Sequence, residues 1–279
     1  RETFLVPVDW VDDWPVVNGG RTITLTDDSP LLYHYSAPID WRDDFTSPTL
    51  QLGWYRKNTP VKKDYTLLPP TQAQSDPSTE NGCGTGTGNG TLRLHGAPYT
   101  LSTPSCPTLF LRKQTARFCL WETKLRFFPD SVNVEAGTVV YLNYFTQVSI
   151  GIRLDPDPGS QARKRVIRFT PRNTGAEAQG VDVPLVSERS DVVLLIECGD
   201  AYRFGFREVL PGVSGQEVGR EVHWVGSVGN RAVVEAPLPA GAPFTGVMLG
   251  VYSCGDREAV RVPADFAYVQ LGPVGKELD

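Results

Sequence analysis

The chain has 279 residues, 40% of them apolar and 10% aromatic, and carries a formal net charge of −5 at pH 7. That length buries a sizeable core in one large domain or two ordinary ones. The mildly acidic balance argues against nucleic acid and membranes as partners, and no apolar run approaches the ~20 residues that cross a bilayer.

Arg1 to Trp10 opens without an initiator Met or a signal peptide and reads as the interior of a longer polypeptide. Residues 1–26 read as a terminal strand and linker, with turns at Asp12-Asp13-Trp14 and Asn18-Gly-Gly20 and a short strand from Thr22 to Leu25. Residues 27–40, with Pro30 and Pro38, form an extended connector, so 1–40 separates from a β-rich domain over 41–279. Pro69 to Gly90, rich in Ser, Thr, Gly and Asn, reads as one exposed loop.

Strand patterns follow at Thr91–Leu94, Leu109–Arg112, Phe118–Phe127 and Thr138–Ile152. Others fall at Arg165–Phe169, Val192–Glu197, Tyr202–Phe206, Val222–Val225, Ala232–Glu235, Val247–Tyr252 and Phe266–Leu271. The basic run Arg163-Lys-Arg165-Val-Ile-Arg168 alternates as a solvated strand face. No segment has a helical period. Turns at roughly ten-residue spacing make the fold class all-β, a sandwich or jelly roll.

The five cysteines have no C-x-x-C spacing, which disfavours zinc and thioredoxin-like readings. Cys198 and Cys254 follow apolar strands and read as buried thiols, whereas Cys83 and Cys106 lie in loops and are expected to form a disulfide. Asn89-Gly-Thr91 is a glycosylation sequon, and with the loop cysteines it points to a secreted, extracellular protein. His34, His95 and His223 lack any ligand-like spacing.

Sugar recognition needs an aromatic ring and a few polar partners. Trp54, Tyr55, Trp121, Tyr141, Tyr144, Tyr202 and Trp224 alternate with polar residues, and Trp121 and Tyr144 are the substrate-binding candidates among them. Trp41 and Phe45 are expected to close the sandwich instead. Glycoside hydrolysis needs two carboxylates roughly 5–10 Å apart. Glu122, Glu197, Glu208 and Glu235 lie in or beside strands, yet no arrangement places several acids on one strand face.

An ordered set of strings carries a resemblance. It runs from Trp41-Arg-Asp-Asp-Phe45 and Leu50-Gln-Leu-Gly-Trp54-Tyr-Arg56 through Leu92-Arg-Leu94, Leu109-Phe-Leu-Arg-Lys-Gln114 and Phe118-Cys-Leu-Trp-Glu-Thr123. Leu125-Arg-Phe127-Phe-Pro129, Glu135-Ala-Gly137, Tyr141-Leu-Asn-Tyr144, Phe244-Thr-Gly246 and Ala264-Asp-Phe266 complete it. Over residues 41–272 the chain resembles the C-terminal concanavalin-like jelly-roll β-sandwich of glycoside hydrolase family 43, the fungal β-xylosidases and α-L-arabinofuranosidases. Residues 1–25 resemble the last strand and linker of the β-propeller that precedes that sandwich.

The resemblance implies that the catalytic carboxylates belong to the propeller, so no catalytic residue is assigned to this chain. It implies that Phe244 reaches the propeller's pocket from a sandwich loop. It implies no cofactor beyond the structural calcium that such sandwiches often hold, for which Asp43-Asp44 and Asp155-Pro-Asp157 offer oxygen ligands. The expected role is the accessory part of a secreted enzyme acting on xylan or arabinoxylan. Its expected partners are the catalytic propeller and a xylo- or arabino-oligosaccharide. The alternative is a free-standing carbohydrate-binding module.

Overall fold

The computed structural model describes residues 6–23, 40–60, 62–70, 90–155, 164–171, 180–211, 217–219, 221–234 and 246–274. The chain divides into two units, Arg1–Pro38 and Ile39–Asp279.

In the first unit, β1 (Val8–Val11) and β2 (Trp14–Val17) pair antiparallel, with Trp10 opposite Pro15 and Val11 opposite Trp14. The turn residues Asp12 and Asp13 both take positive φ, 49° and 63°, as a tight hairpin of right-handed strand twist requires. Asn18 closes the base: its N–H donates to the Pro7 carbonyl at 2.8 Å and its amide to the Thr22 carbonyl at 3.0 Å. Paired residues share a face, so Val8, Trp10 and Val17 lie on one side of the hairpin and Val11 and Trp14 on the other. Pro15 joins the first side and Asp9 and Val16 the second, so the first is wholly apolar and the second is apolar but for Asp9. Trp10 and Trp14 are nevertheless 72% and 73% exposed.

The second unit is built almost wholly of strands. They are β3 (Trp41–Asp43), β4 (Tyr55–Arg56), β5 (Tyr65–Leu68), β6 (Thr91–Leu94), β7 (Thr108–Lys113) and β8 (Cys119–Arg126). Then come β9 (Val134–Asn143), β10 (Thr146–Leu154), β11 (Arg165–Thr170), β12 (Val181–Pro184), β13 (Asp191–Cys198) and β14 (Ala201–Pro211). After β15 (Glu217–Gly219) and β16 (His223–Gly229), a one-turn helix α1 (Asn230–Val234) leads to β17 (Met248–Gly255) and β18 (Ala264–Gly272).

Two antiparallel sheets form. The first runs β12-β11-β10-β9-β17-β7-β4; the second runs β15-β14-β13-β8-β18-β6-β5, with β16 also on β14 and β3 on β18. Non-consecutive neighbours such as β9-β17-β7 are the crossovers of a jelly roll. Between the sheets lies the main core, including Trp121, Phe110, Phe127, Ile150, Phe204 and Phe266. Trp41 packs on this core and Phe45 is buried in it, closing the sandwich as the sequence suggests.

Two strand assignments change. Thr138 to Ile152 is not one strand: it breaks at Tyr144-Phe145, where the Asn143 side-chain oxygen accepts from the N–H groups of Phe145 and Thr146, both at 2.9 Å. Ala232 and its neighbours begin no strand but belong to α1. There the Asn230 amide donates to the Gly199 carbonyl at 2.6 Å and Val233 is buried, so local packing overrides the β-preference of Val-Val. Thr22 and Ile23 of the proposed strand Thr22–Leu25 are not in a strand, and its other half, the loop 71–89, Cys83, Asn89, Asp157, Glu235 and Phe244 lie outside the described residues.

Candidate functional site

The aromatic candidates do not share one face. Trp121 points inward from β8 and is fully buried; its indole donates to Thr138 Oγ1 at 2.7 Å. Trp41 stacks on it at 6.4 Å and Trp54 meets it edge-on at 6.3 Å. Trp121 thus offers no ring face to a sugar, and its assignment to substrate binding is corrected to a core role. Alternation with polar neighbours marked its face correctly, but that face meets the other sheet instead of solvent. Tyr202 and Tyr141 are buried too. Tyr144 sits at the β9–β10 turn, half-buried, 4.0 Å from the Phe145 ring and with Lys57 Nζ 5.1 Å above its own. It remains partly accessible at the strand ends where β9 turns into β10.

The carboxylate candidates are occupied by protein donors. Glu122, outward on β8 yet buried, accepts from Arg207 at 3.1 Å, from Gln270 at 3.2 Å and from the Tyr268 hydroxyl. Glu208 accepts from the N–H groups of Val186 and Ser187 and from the Ser190 hydroxyl, and so fixes a loop. Glu197 pairs with Arg203 at 3.1 Å. Asp43 accepts from Phe45 N–H and the Trp54 indole, both at 2.9 Å, and Asp44 pairs with Arg42. Among the described residues, no three His, Cys, Asp or Glu side chains converge as a metal site.

Cys198 and Cys254 are buried, as the strand pattern suggests. Cys119 and Cys198 stand directly opposite on β8 and β13. Their hydrogen bond, with burial added, pushes the Cys198 thiol far up, so it stays protonated. The Cys106 thiol is half-exposed and lies 3.7 Å from the Thr59 carbonyl.

A site that the sequence reading missed lies on the outer face of the first sheet. Period-2 alternation turns Glu135 of β9, Gln147, Ser149 and Arg153 of β10, and Tyr252 of β17 to this side, where they line a cavity of about 400 Å³. Gly137 and Gly151 face each other across β9 and β10. A Cβ on Gly151 would sit 2.6 Å from the Tyr252 hydroxyl and 3.0 Å from Glu135 Oε1, so glycine there lets the two groups meet over the sheet. Tyr252 donates its hydroxyl proton to Glu135.

Burial holds the Glu135 carboxyl above the usual carboxylate range, against the Tyr252 hydrogen bond and the charges of Arg153 and Arg168. Gln147, 7% exposed, donates to Ser102 Oγ at 2.6 Å, while its Oε1 has no partner. Arg153 leans towards Asp182 at 3.6 Å and leaves Nε unpartnered. The signal that would have found this site was two glycines inside strand patterns, a mark of close approach.

Two antiparallel sheets with crossovers and a polar outer-face pocket define a concanavalin-type sandwich. The profile of the β-xylosidase C-terminal concanavalin A-like domain matches residues 71–271. The chain belongs to that family, the C-terminal sandwich of glycoside hydrolase family 43 enzymes.

A non-reducing-end α-L-arabinofuranosidase of Bacteroides ovatus is 29% identical over 269 residues, covering 95% of this chain and 44% of its own length. A β-xylosidase of Bacillus subtilis is 23% identical over 273 residues, covering 96% and 45%. The solved structure of a family 43 protein from the Bacteroides ovatus xyloglucan locus superposes with a TM-score of 0.66 at 25% identity, covering 97% of this chain and 47% of that one. A xylan β-1,4-xylosidase from Bacillus halodurans shares the fold, with a TM-score of 0.64 at 22% identity over 96% of this chain and 46% of that one. The chain spans about half the length of the curated relatives it matches.

Proposed function

We propose that this chain is the accessory sandwich of a secreted glycoside hydrolase acting on xylan or arabinoxylan, as β-xylosidase or α-L-arabinofuranosidase. In this reading it braces a catalytic propeller and borders the substrate cleft, and the catalytic carboxylates belong to that partner domain. Phe244 supplies a ring to the cleft, and Asn89 carries a glycan. Any bound calcium is structural.

One observation carries the reading: the β1–β2 hairpin is apolar on one face and, but for Asp9, on the other, and leaves Trp10 and Trp14 exposed. Two-stranded hairpins are marginal alone, and strands apolar on both faces belong between two covering layers. Each Trp offers on the order of 150–250 Å² to a partner. At ~25 cal/mol per Å² that is about 4–6 kcal/mol each, an upper bound on the docking gain. The relatives, of which this chain spans about half, have the additional length a partner domain would need.

The test uses the full polypeptide and a form truncated before the sandwich. Loss of melting temperature and of aryl-xyloside or aryl-arabinofuranoside hydrolysis on truncation is expected. Full retention of both by the truncated form would end this reading.

A further inference from the structure

The two ends of the sandwich differ in what they leave uncovered. β7 closes at Lys113 and β8 opens at Cys119, so Gln114–Phe118 crosses from one sheet to the other. Lys113 stands beside Met248 and Met248 beside Tyr141; in the other sheet Cys119 stands opposite Cys198 and Leu120 opposite Gly272. The β9–β10 turn, the β13–β14 turn, α1 and the residues after β18 therefore share this end. Among the described residues it exposes Leu52, Phe118, Phe145, Val234 and Val274. The opposite end, made by 127–133, 185–190 and 255–263, exposes Phe128 and Val186 among Asp130, Glu188, Asp256 and Arg257.

The apolar set is held in place. Leu52 is 95% exposed, yet its loop is pinned on both sides. The Trp41 indole donates to Gln51 Oε1 at 3.0 Å, the Gln51 amide to the Arg42 carbonyl at 3.2 Å, and Arg112 Nη1 to the Leu52 carbonyl at 3.1 Å. Gly53, at φ 95°, makes a bend that only glycine enters freely. Phe145 is set by the two N–H bonds to Asn143, and Val234 by the burial of Val233 beside it. Fixing apolar groups in water gains the sandwich nothing by itself, whereas a preformed apolar face lowers the cost of docking. Seven strands ~4.8 Å apart, in layers ~10 Å apart, give an end of several hundred Å², close to the scale of about 600–1,500 Å² at which domains of one chain meet.

We propose that the sandwich meets the catalytic domain through this end, with Leu52, Phe118 and Phe145 buried in the contact. The identity of the occupant rests on the functional reading above; the covered end rests on the sandwich alone. Two observations favour that occupant over a second copy of the chain. β3, the first strand of this unit, starts at this end with Trp41 opposite Leu271, so a domain preceding it in the polypeptide is tethered beside the apolar set. The curated relatives also carry about as much length again outside the part this chain matches.

The test is hydroxyl-radical footprinting of the full polypeptide, read at Phe145 and Phe128. Both rings are 41% exposed in the sandwich, so a protein with neither end covered labels them alike. Labelling of Phe145 reduced to the level of the buried Phe110, with Phe128 still labelled, is the expected result. Equal labelling of the two would overturn the proposal. A second arm compares Leu52→Ser with Val186→Ser, a matched change at the opposite end, in the same polypeptide. Leu52→Ser should lower the melting temperature by about 2 °C or more and Val186→Ser leave it unchanged. Equal melting of the two variants would overturn the proposal too. So would a Leu52→Ser variant that splits a dimer into intact monomers, which assigns the end to a second copy. A polypeptide that hydrolyses aryl-xylosides yet labels Phe145 and Phe128 alike would sink the docking end and leave the functional reading standing. Protection of Phe145 in a polypeptide without such activity would uphold the covered end and remove the catalytic occupant.

Discussion

The two outer faces of the sandwich each carry a carboxylate withdrawn from water, and they treat it in opposite ways. On the second sheet, Glu122 sits among Arg207, Tyr268 and Gln270, and Gln270 in turn accepts from Arg42. Beside it Asp191 receives Arg126 at 2.8 Å and Lys124 at 3.5 Å, and Arg93 grips Asp265 with two bonds of 2.8 Å. On the first sheet, Glu135 has the Tyr252 hydroxyl, and around it Gln147, Arg153 and Asp182 each leave a buried atom unmatched. A face whose polar groups are saturated by one another holds strands together. On the other face several buried polar atoms have no such partner.

This contrast can be broken at either end. Glu122→Leu should cost the most, about 3 kcal/mol, because it strands the donors around it in a buried network. A thermal melt unchanged from wild type would show the ladder to be ornamental.

Glu135→Gln should act in the other direction. Burial raises the Glu135 pKa, so the folded state holds that proton more tightly than the unfolded chain does. Its contribution is then most favourable below the unfolded carboxylate value of about 4.3 and declines as pH rises towards the folded one. The groups facing it are Tyr252 and Cys254 on β17, Arg153 on β10, Arg168 on β11 and Asp182 on β12. The variant should therefore melt higher than wild type at pH 7, with the difference shrinking towards pH 4. A lower melting temperature at pH 7 would show that Glu135 acts as a needed anion.

Gln147→Met removes a half-matched amide, giving up one hydrogen bond to Ser102 and one unmatched oxygen, and should shift stability by less than about 1 kcal/mol. A large loss would mark Gln147 as part of the scaffold instead of the pocket. The smallest effect concerns the cysteines. Non-reducing peptide mapping is expected to find Cys83 joined to Cys106, with Cys119, Cys198 and Cys254 as thiols. A Cys119–Cys198 link would place the bridge at the facing strands instead.

The contrast also explains what was legible in the sequence. Phe118–Phe127 and Val192–Glu197 announce themselves, because alternation and β-branched runs are local properties of strands. Whether a face is covered is not local: Trp121 and Glu122 are neighbours pointing oppositely, and only the second sheet decides that the ring is core. The pocket was harder still, since Glu135 and Arg153 lie on neighbouring strands whose register, Ile152 opposite Ala136, appears only once the sheet forms. The turn at Tyr144-Phe145 was hidden by a continuous apolar run, although Asn143 was there to make it. The hairpin turn at Asp12-Asp13 was legible because its residue types tolerate positive φ.

The most direct test of the central claim, a sandwich that works joined to a catalytic domain, is native mass and activity of the protein purified from its own source. The account predicts a polypeptide roughly twice the length of this chain. It should hydrolyse aryl-xylosides or aryl-arabinofuranosides and lose both stability and activity when Trp10 and Trp14 are replaced by serine. A lone species of this chain's length, stable and without a catalytic companion, would contradict it.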